Sequence, residues 1–194
     1  MKKLIFLLVA IVMVISSCEE KIIDLVIKFN DSFVFVADNN GSFTETYTAS
    51  RDEIMDEVDQ DVSGVKDVNI SFLELIIQTD AGNQAQRIRA SGTFSDNSTP
   101  TPILIFENFE FNVSDFNGIA KPVSGYQAAG INALADKIQA YINETDATDF
   151  TVEVNGVAID ASGNPVNESM NLTFTITLDA EVILEETADL PSFP

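Results

Sequence analysis

Leu172-Thr173-Phe174-Thr175-Ile176-Thr177-Leu178-Asp179-Ala180-Glu181-Val182-Ile183-Leu184 is the stretch that decides the fold class. Every even position from Leu172 to Leu184 is apolar, and every odd position but Ile183 is polar. Such a long period-two pattern is a strand with one face in a core and the other toward water. Residues 86–95 repeat the pattern, with Ile88, Ala90, Gly92 and Phe94 on one face and Arg87, Arg89, Ser91 and Thr93 on the other. Residues 103–113 form the next strand, and the mixed pattern at Glu107 and Asn108 predicts a bulge there. Residues 67–79 carry Ile70, Phe72, Leu73, Leu75, Ile76 and Ile77 in both parities, which suits a central strand. Phe150 to Ile159 is a strand, or a hairpin folded at Asn155-Gly156. Toward the N-terminus, Ile23, Leu25, Ile27 and Phe29 alternate. Asn30-Asp31-Ser32 then predicts a turn into Phe33–Val36, and Asp38 to Ser42 a second turn before a short strand at Phe43–Thr48.

Two amphipathic helices interrupt the strands. Ser50 and Glu53 make a capping box ahead of the stripe Ile54, Val58 and Val62, with Gly64 as the stop. Ser124 and Gln127 suggest another box, opening a helix to Asn143 whose buried stripe is Ile131, Leu134, Ile138 and Ile142. The expected fold is therefore one β-rich domain over residues 22–185, a mostly antiparallel β-sandwich with two helices. An α+β layer with both helices on one sheet face is the second choice. Residues 186–194 read as a loose tail.

The chain begins differently. Lys2 and Lys3 precede an unbroken apolar run from Leu4 to Ile15, then Ser16, Ser17 and Cys18. A basic head, a short apolar run and small residues make a secretory signal over residues 1–17. The run is too short to cross a bilayer as a helix, which takes about 20 residues. Ile15-Ser16-Ser17-Cys18 resembles the lipobox of bacterial lipoproteins, which implies cleavage before Cys18 and acylation, palmitate included, of its thiol. Residues 18–21 would be the lipidated Cys and a short tether. Glu19, Glu20 and Lys21 resemble the signal that sends some lipoproteins to the cell surface. Together with the capped helix ahead of Val65-Lys66-Asp67-Val68-Asn69-Ile70 and the closing Phe150–Leu184 segment with its Val154-Asn155-Gly156, the order of parts resembles small lipoproteins of flavobacteria and other Bacteroidota. The resemblance implies an outer-membrane-anchored, β-rich domain on the periplasmic or cell-surface face. It brings no activity and no site residue with it.

Composition removes many functions. Ten Lys and Arg stand against 31 Asp and Glu, a formal net charge of −21 with no His. So acidic a surface disfavours nucleic acid and anionic lipid headgroups as partners. Without His there is no Ser-His-Asp triad, no Cys-His pair and no His-ligated metal. The single Cys excludes a disulfide within one chain. With no Trp and only three Tyr, aromatic platforms for sugars or bases are poorly supplied.

Three candidate chemistries remain. Asp59-Gln60-Asp61-Val62-Ser63-Gly64 resembles the opening of an EF-hand loop, making Asp59, Asp61 and Ser63 the calcium candidates. The position where the bidentate Glu belongs is Ile70, and an acidic helix end stopped by Gly64 explains the same residues without a metal. The turn at Asp38, Asn39 and Asn40 stands likewise. Glu107, Glu110 and Asp115 are the only neighbouring carboxylates considered for acid–base work. Glu107 and Glu110 differ in strand parity and so face opposite sides unless a bulge intervenes. The 14 Phe residues could line a cavity for an apolar ligand beneath the second helix, or simply fill the core. The expectation is a non-catalytic envelope lipoprotein with no cofactor, acting as a binding or structural module. It would be tied to the membrane through Cys18 and would engage a protein partner. A carrier of an apolar ligand and, less favoured, a carboxylate-dependent hydrolase are the alternatives.

Overall fold

The computed structural model describes residues 18–57, 65–97 and 101–191. The alternating segment lies within β8 (Ser169–Pro191), which pairs antiparallel along its whole length with β1 (Cys18–Asn40). On its other side β8 pairs with β3 (Val65–Thr79), which also holds the two-residue β6 (Lys121–Pro122). This sheet has the order β1-β8-β3-β6. The second sheet, ordered β2-β7-β4-β5, contains β2 (Ser42–Ala49), β7 (Phe150–Ala158), β4 (Arg87–Asp96) and β5 (Ile103–Asn112). All the paired strands are antiparallel. The result is the β-sandwich that the alternation predicts.

Each sheet contributes one face to a common core. β8 points Met170, Leu172, Phe174, Ile176, Leu178, Ala180, Val182 and Leu184 inward, and β7 answers with Phe150, Val152 and Val154. One long side of the sandwich is joined where the chain passes from β1 to β2 through Gly41, whose φ of 77° suits a residue without a Cβ. The opposite side is plugged by the helix α3 (Ala128–Ile142), packed against β3 and β5. Gly130 lets it come close: a Cβ there would sit 2.1 Å from the Leu104 carbonyl oxygen. The other helices are short, α1 (Arg51–Glu57) and α2 (Val113–Phe116).

Several local expectations hold in detail. Ser50 N–H donates to the Glu53 carboxylate at 2.8 Å and Glu53 N–H donates back to Ser50 Oγ at 3.3 Å, so the capping box is formed. These bonds hold the Glu53 carboxyl below its ordinary range, with the backbone bond the larger cause. Ile54 is buried, whereas Val58, Val62 and Gly64 lie outside the described residues. The bulge in β5 is present. Asn108 takes a positive φ of 52°, and Ser91 Oγ accepts its N–H.

Other readings are corrected. Asn30-Asp31-Ser32 does not turn, because β8 offers these residues Asp179, Leu178 and Thr177 as ladder partners and β1 runs straight through. Of the expected tail, residues 186–191 are instead the end of β8 and 192–194 lie outside the described residues: Glu185 to Pro191 pairs with Asp24 to Cys18, seven pairs that extend past the last β3 partner, Leu184. That two-stranded ribbon is about 20 Å long at the usual rise per residue. Asn155-Gly156 is mid-strand, and its glycine is needed because the Phe43 ring lies over it, 2.4 Å from where a Cβ would be. The mixed parity of β3 is a switch of faces at the bulge between Ile70 and Phe72. Val68 and Ile70 point inward before it, and Leu73, Leu75 and Ile77 after it. The Ser124–Gln127 box is absent. Gln127 occupies the N-cap position without a side-chain bond, and Gly125 has a φ of 76°.

Candidate functional site

Strand β4 carries a charged cluster at each end. At its start, Arg87 and Arg89 share a parity and point outward, two residues apart on one face. Glu110 of β5 stands opposite Arg89 in the ladder and lies between them. Arg89 Nε donates to Glu110 Oε1 at 2.8 Å, and the Arg87 guanidinium reaches Oε2 at 3.3 Å. The remaining donors go to the loop after β7. Arg87 donates to the carbonyls of Asp160 and Ala161, and Arg89 to that of Gly163. Asp160 shapes that loop by accepting the N–H groups of Ser162 and Asn164 through Oδ1. The Asn164 bonds, backbone first and then side chain, hold the Asp160 carboxyl below its ordinary range.

Two depressions open beside this clamp. One of about 410 Å³ is lined by Thr79, Gln86, Arg87, Asn112, Ser114 and Asn117, with Ala85 and Val113 at its floor. The other, about 350 Å³, has Arg87, Glu110, Asp115 and Lys121 around Phe109, Phe111 and Phe116. These three rings pack on one another with centroids 5.2 to 5.9 Å apart, and the Lys121 ammonium lies 5.4 Å from the Phe116 centroid. The β5 bulge turns Glu107 and Glu110 to the same exposed side, and Asp115 accepts a bond from Asn112 Nδ2. Glu110 and Asp115 therefore share one groove wall, but Glu110 is neutralised by two guanidiniums, an arrangement that suits recognition of a polar partner.

The far end of β4 is different. Asp96 faces Lys137 of α3, whose Nζ lies 3.3 Å from Asp96 Oδ2 and 2.6 Å from Asp146 Oδ2. The Lys137 and Asp96 side chains are only 3% and 5% exposed. Nζ also donates to Thr148 Oγ1 at 2.9 Å and lies 5.1 Å from the Tyr141 ring centroid. Lys137 and Thr148 together hold the Asp146 carboxyl far below the usual range, the Lys137 hydrogen bond being the largest cause. Burial, then the charges of Asp149, Asp146 and Asp96, push the Tyr141 hydroxyl well above its ordinary value, and it donates to the Thr148 carbonyl at 2.7 Å. Neither the Lys137 cluster nor the arginine clamp stands among the sequence-derived candidates. The readable signal for Lys137 was its spacing, three residues after Leu134 and four before Tyr141, on the buried stripe of α3.

The remaining candidates are dispersed. Asp59, Asp61 and Ser63 lie outside the described residues. Asp38, Asn39 and Asn40 are exposed at the end of β1, and the described residues contain no group of three or more acidic or Cys side chains suited to a metal. Beneath α3 the aromatic residues pack on each other: Phe150 has its centroid 5.6 Å from that of Phe94 and 6.1 Å from that of Tyr141. No helix among the described residues is long and apolar enough to cross a membrane.

No family model matches the chain, and no curated protein does. Among solved structures it is similar to the 60-mer BFDV capsid protein, at 8% identity over 90% of this chain and 98% of that one, with a TM-score of 0.33. It is also similar to turnip yellow mosaic virus, at 7% identity over 88% and 99% of the two chains, TM-score 0.34. The VP2 subviral particle of infectious bursal disease virus matches at 13% identity over 86% of this chain and 38% of that one, TM-score 0.33. Likeness this distant carries no argument about what this chain binds or does.

Proposed function

We propose that this protein is a lipid-anchored module of the outer membrane, held through acylated Cys18, that engages a protein partner at its opposite end and catalyses no reaction. One geometric relation carries the reading. Cys18 begins β1 at the tip of the ribbon, whereas Asn40 ends it beside Gly41 and Ser169. The N–H groups of Gln84 and Ala85 donate to Ser169 O, and Gln86 O accepts from Val113, which fixes the grooves at that same far end. Along β1 the two ends are about 70 Å of strand apart at the usual rise per residue. An anchor at one end and a grooved, hydrogen-bonding surface at the other suit a module that reaches away from a bilayer. The leader and lipobox of residues 1–18 supply the export and the anchor in this reading, on the periplasmic or cell-surface face of the membrane.

Metabolic labelling with an alkynyl fatty acid tests the anchor directly. The wild-type chain in its own envelope should take up label and fractionate with membrane, while Cys18→Ser should stay unlabelled. An unlabelled wild-type chain would overturn the anchored reading.

A further inference from the structure

We propose that Lys137 and Asp96 join through an intramolecular amide bond, a covalent staple between α3 and the end of β4. The reactants are already adjacent: Nζ lies 3.3 Å from Asp96 Oδ2, and the carbon that would be attacked is one bond beyond that oxygen. Groups held in contact by the fold react with effective concentrations that no bimolecular encounter reaches. Both side chains are nearly devoid of solvent, at 3% and 5% exposure, so little bulk water is present to hydrolyse the product. Asp146 supplies a third group, a hydrogen-bond acceptor 2.6 Å from the nitrogen that holds Nζ in place and is itself oriented by Thr148. Phe94, Asp96, Lys137 and Asp146 line a depression of about 270 Å³ that opens to solvent and gives the product water a way out. The chain has one Cys, so a covalent tie within it must use other chemistry.

The step balances without a co-reactant. Lys137 passes one ammonium proton to the Asp96 carboxylate beside it, 3.3 Å away. Its freed electron pair attacks Cγ of neutral Asp96, the C–N bond forms, and the C–OH bond breaks. The hydroxyl leaves with a second nitrogen proton as water. The third proton stays on the amide nitrogen, and nothing is oxidised or reduced. The same geometry makes Asp146 a positioning residue that does not enter the product.

Chymotryptic mapping of the full chain, purified folded, reads the bond. The expected result is a branched peptide joining the segments around Asp96 and Lys137, one water lighter than their sum. Lys137→Arg keeps the positive charge but cannot form the amide, and its peptides should run separately. Asp96→Asn should still form the branch, with ammonia lost in place of water. Asp146→Asn should fold yet leave the link largely unformed. A wild-type map with both peptides free at full mass would overturn the proposal and leave a buried ion pair. A one-water loss that persists in Lys137→Arg would overturn it too, by assigning the lost water to another site.

Discussion

The two ends of β4 use the same chemistry, cation against carboxylate, in opposite surroundings. At the start, Arg87 and Arg89 are 29% and 30% exposed and Glu110 is 36% exposed, so water shares every charge. At the end, the Lys137 and Asp96 side chains are nearly buried where α3 meets the sheet, at 3% and 5% exposure. Coulomb attraction is strong only where solvent is excluded, and there the cost of an unmatched charge is just as large. The exposed clamp thus fixes the loop of residues 160–164 at little energetic consequence, which leaves it adaptable for contact. The buried cluster holds the architecture.

Removing the cation at each end should break the two unequally. Lys137→Met removes the tie between α3 and Asp96, whether amide or ion pair, strands the buried carboxylate, and should cost at least about 3–5 kcal/mol, read as a fall in the urea midpoint. Acid sharpens the same contrast. The folded Asp146 pKa is depressed, so its stabilisation is fully present above the ordinary aspartate value near pH 3.9 and is lost as pH falls through the folded value. Urea midpoints measured down through that range should drop for the wild type, and Asp146→Asn should lack that part of the slope. Tyr141→Phe removes one donor and strands the Thr148 carbonyl, for an expected cost of about 1 kcal/mol in the same assay. Smallest should be Arg89→Met, about 0.2–1 kcal/mol, with the difference shrinking as salt is raised.

What could be read from sequence was whatever one element dictates by itself. The alternation of β8 and β4, the Ser50–Glu53 box and the β5 bulge are local patterns, and all are present. What could not be read depended on a partner distant in the chain. Asn30-Asp31-Ser32 has turn composition, but a 23-residue β8 supplies a ladder that overrides it. Glu185–Pro191 has no alternation and is paired only because Cys18–Asp24 lies opposite. Asn155-Gly156 leaves strand and hairpin both open until the Phe43 ring explains the missing Cβ in a continuous strand. The clamp and the Lys137 cluster each draw residues from three separate segments, so no single window reveals them. Glu110 was visible as a carboxylate, and its two arginines as an outward strand face, yet only the register of β4 against β5 joins them.

In the proposed arrangement the end with the arginine clamp is the contact end and the end with Cys18 the held one. Photo-reactive residues placed singly at Ser114, in the larger groove, and at Asp52, exposed on α1 at the anchored end, test it on intact cells. Irradiation should yield a discrete protein adduct from Ser114 and none from Asp52. An adduct from Asp52 with none from Ser114 would contradict the claim.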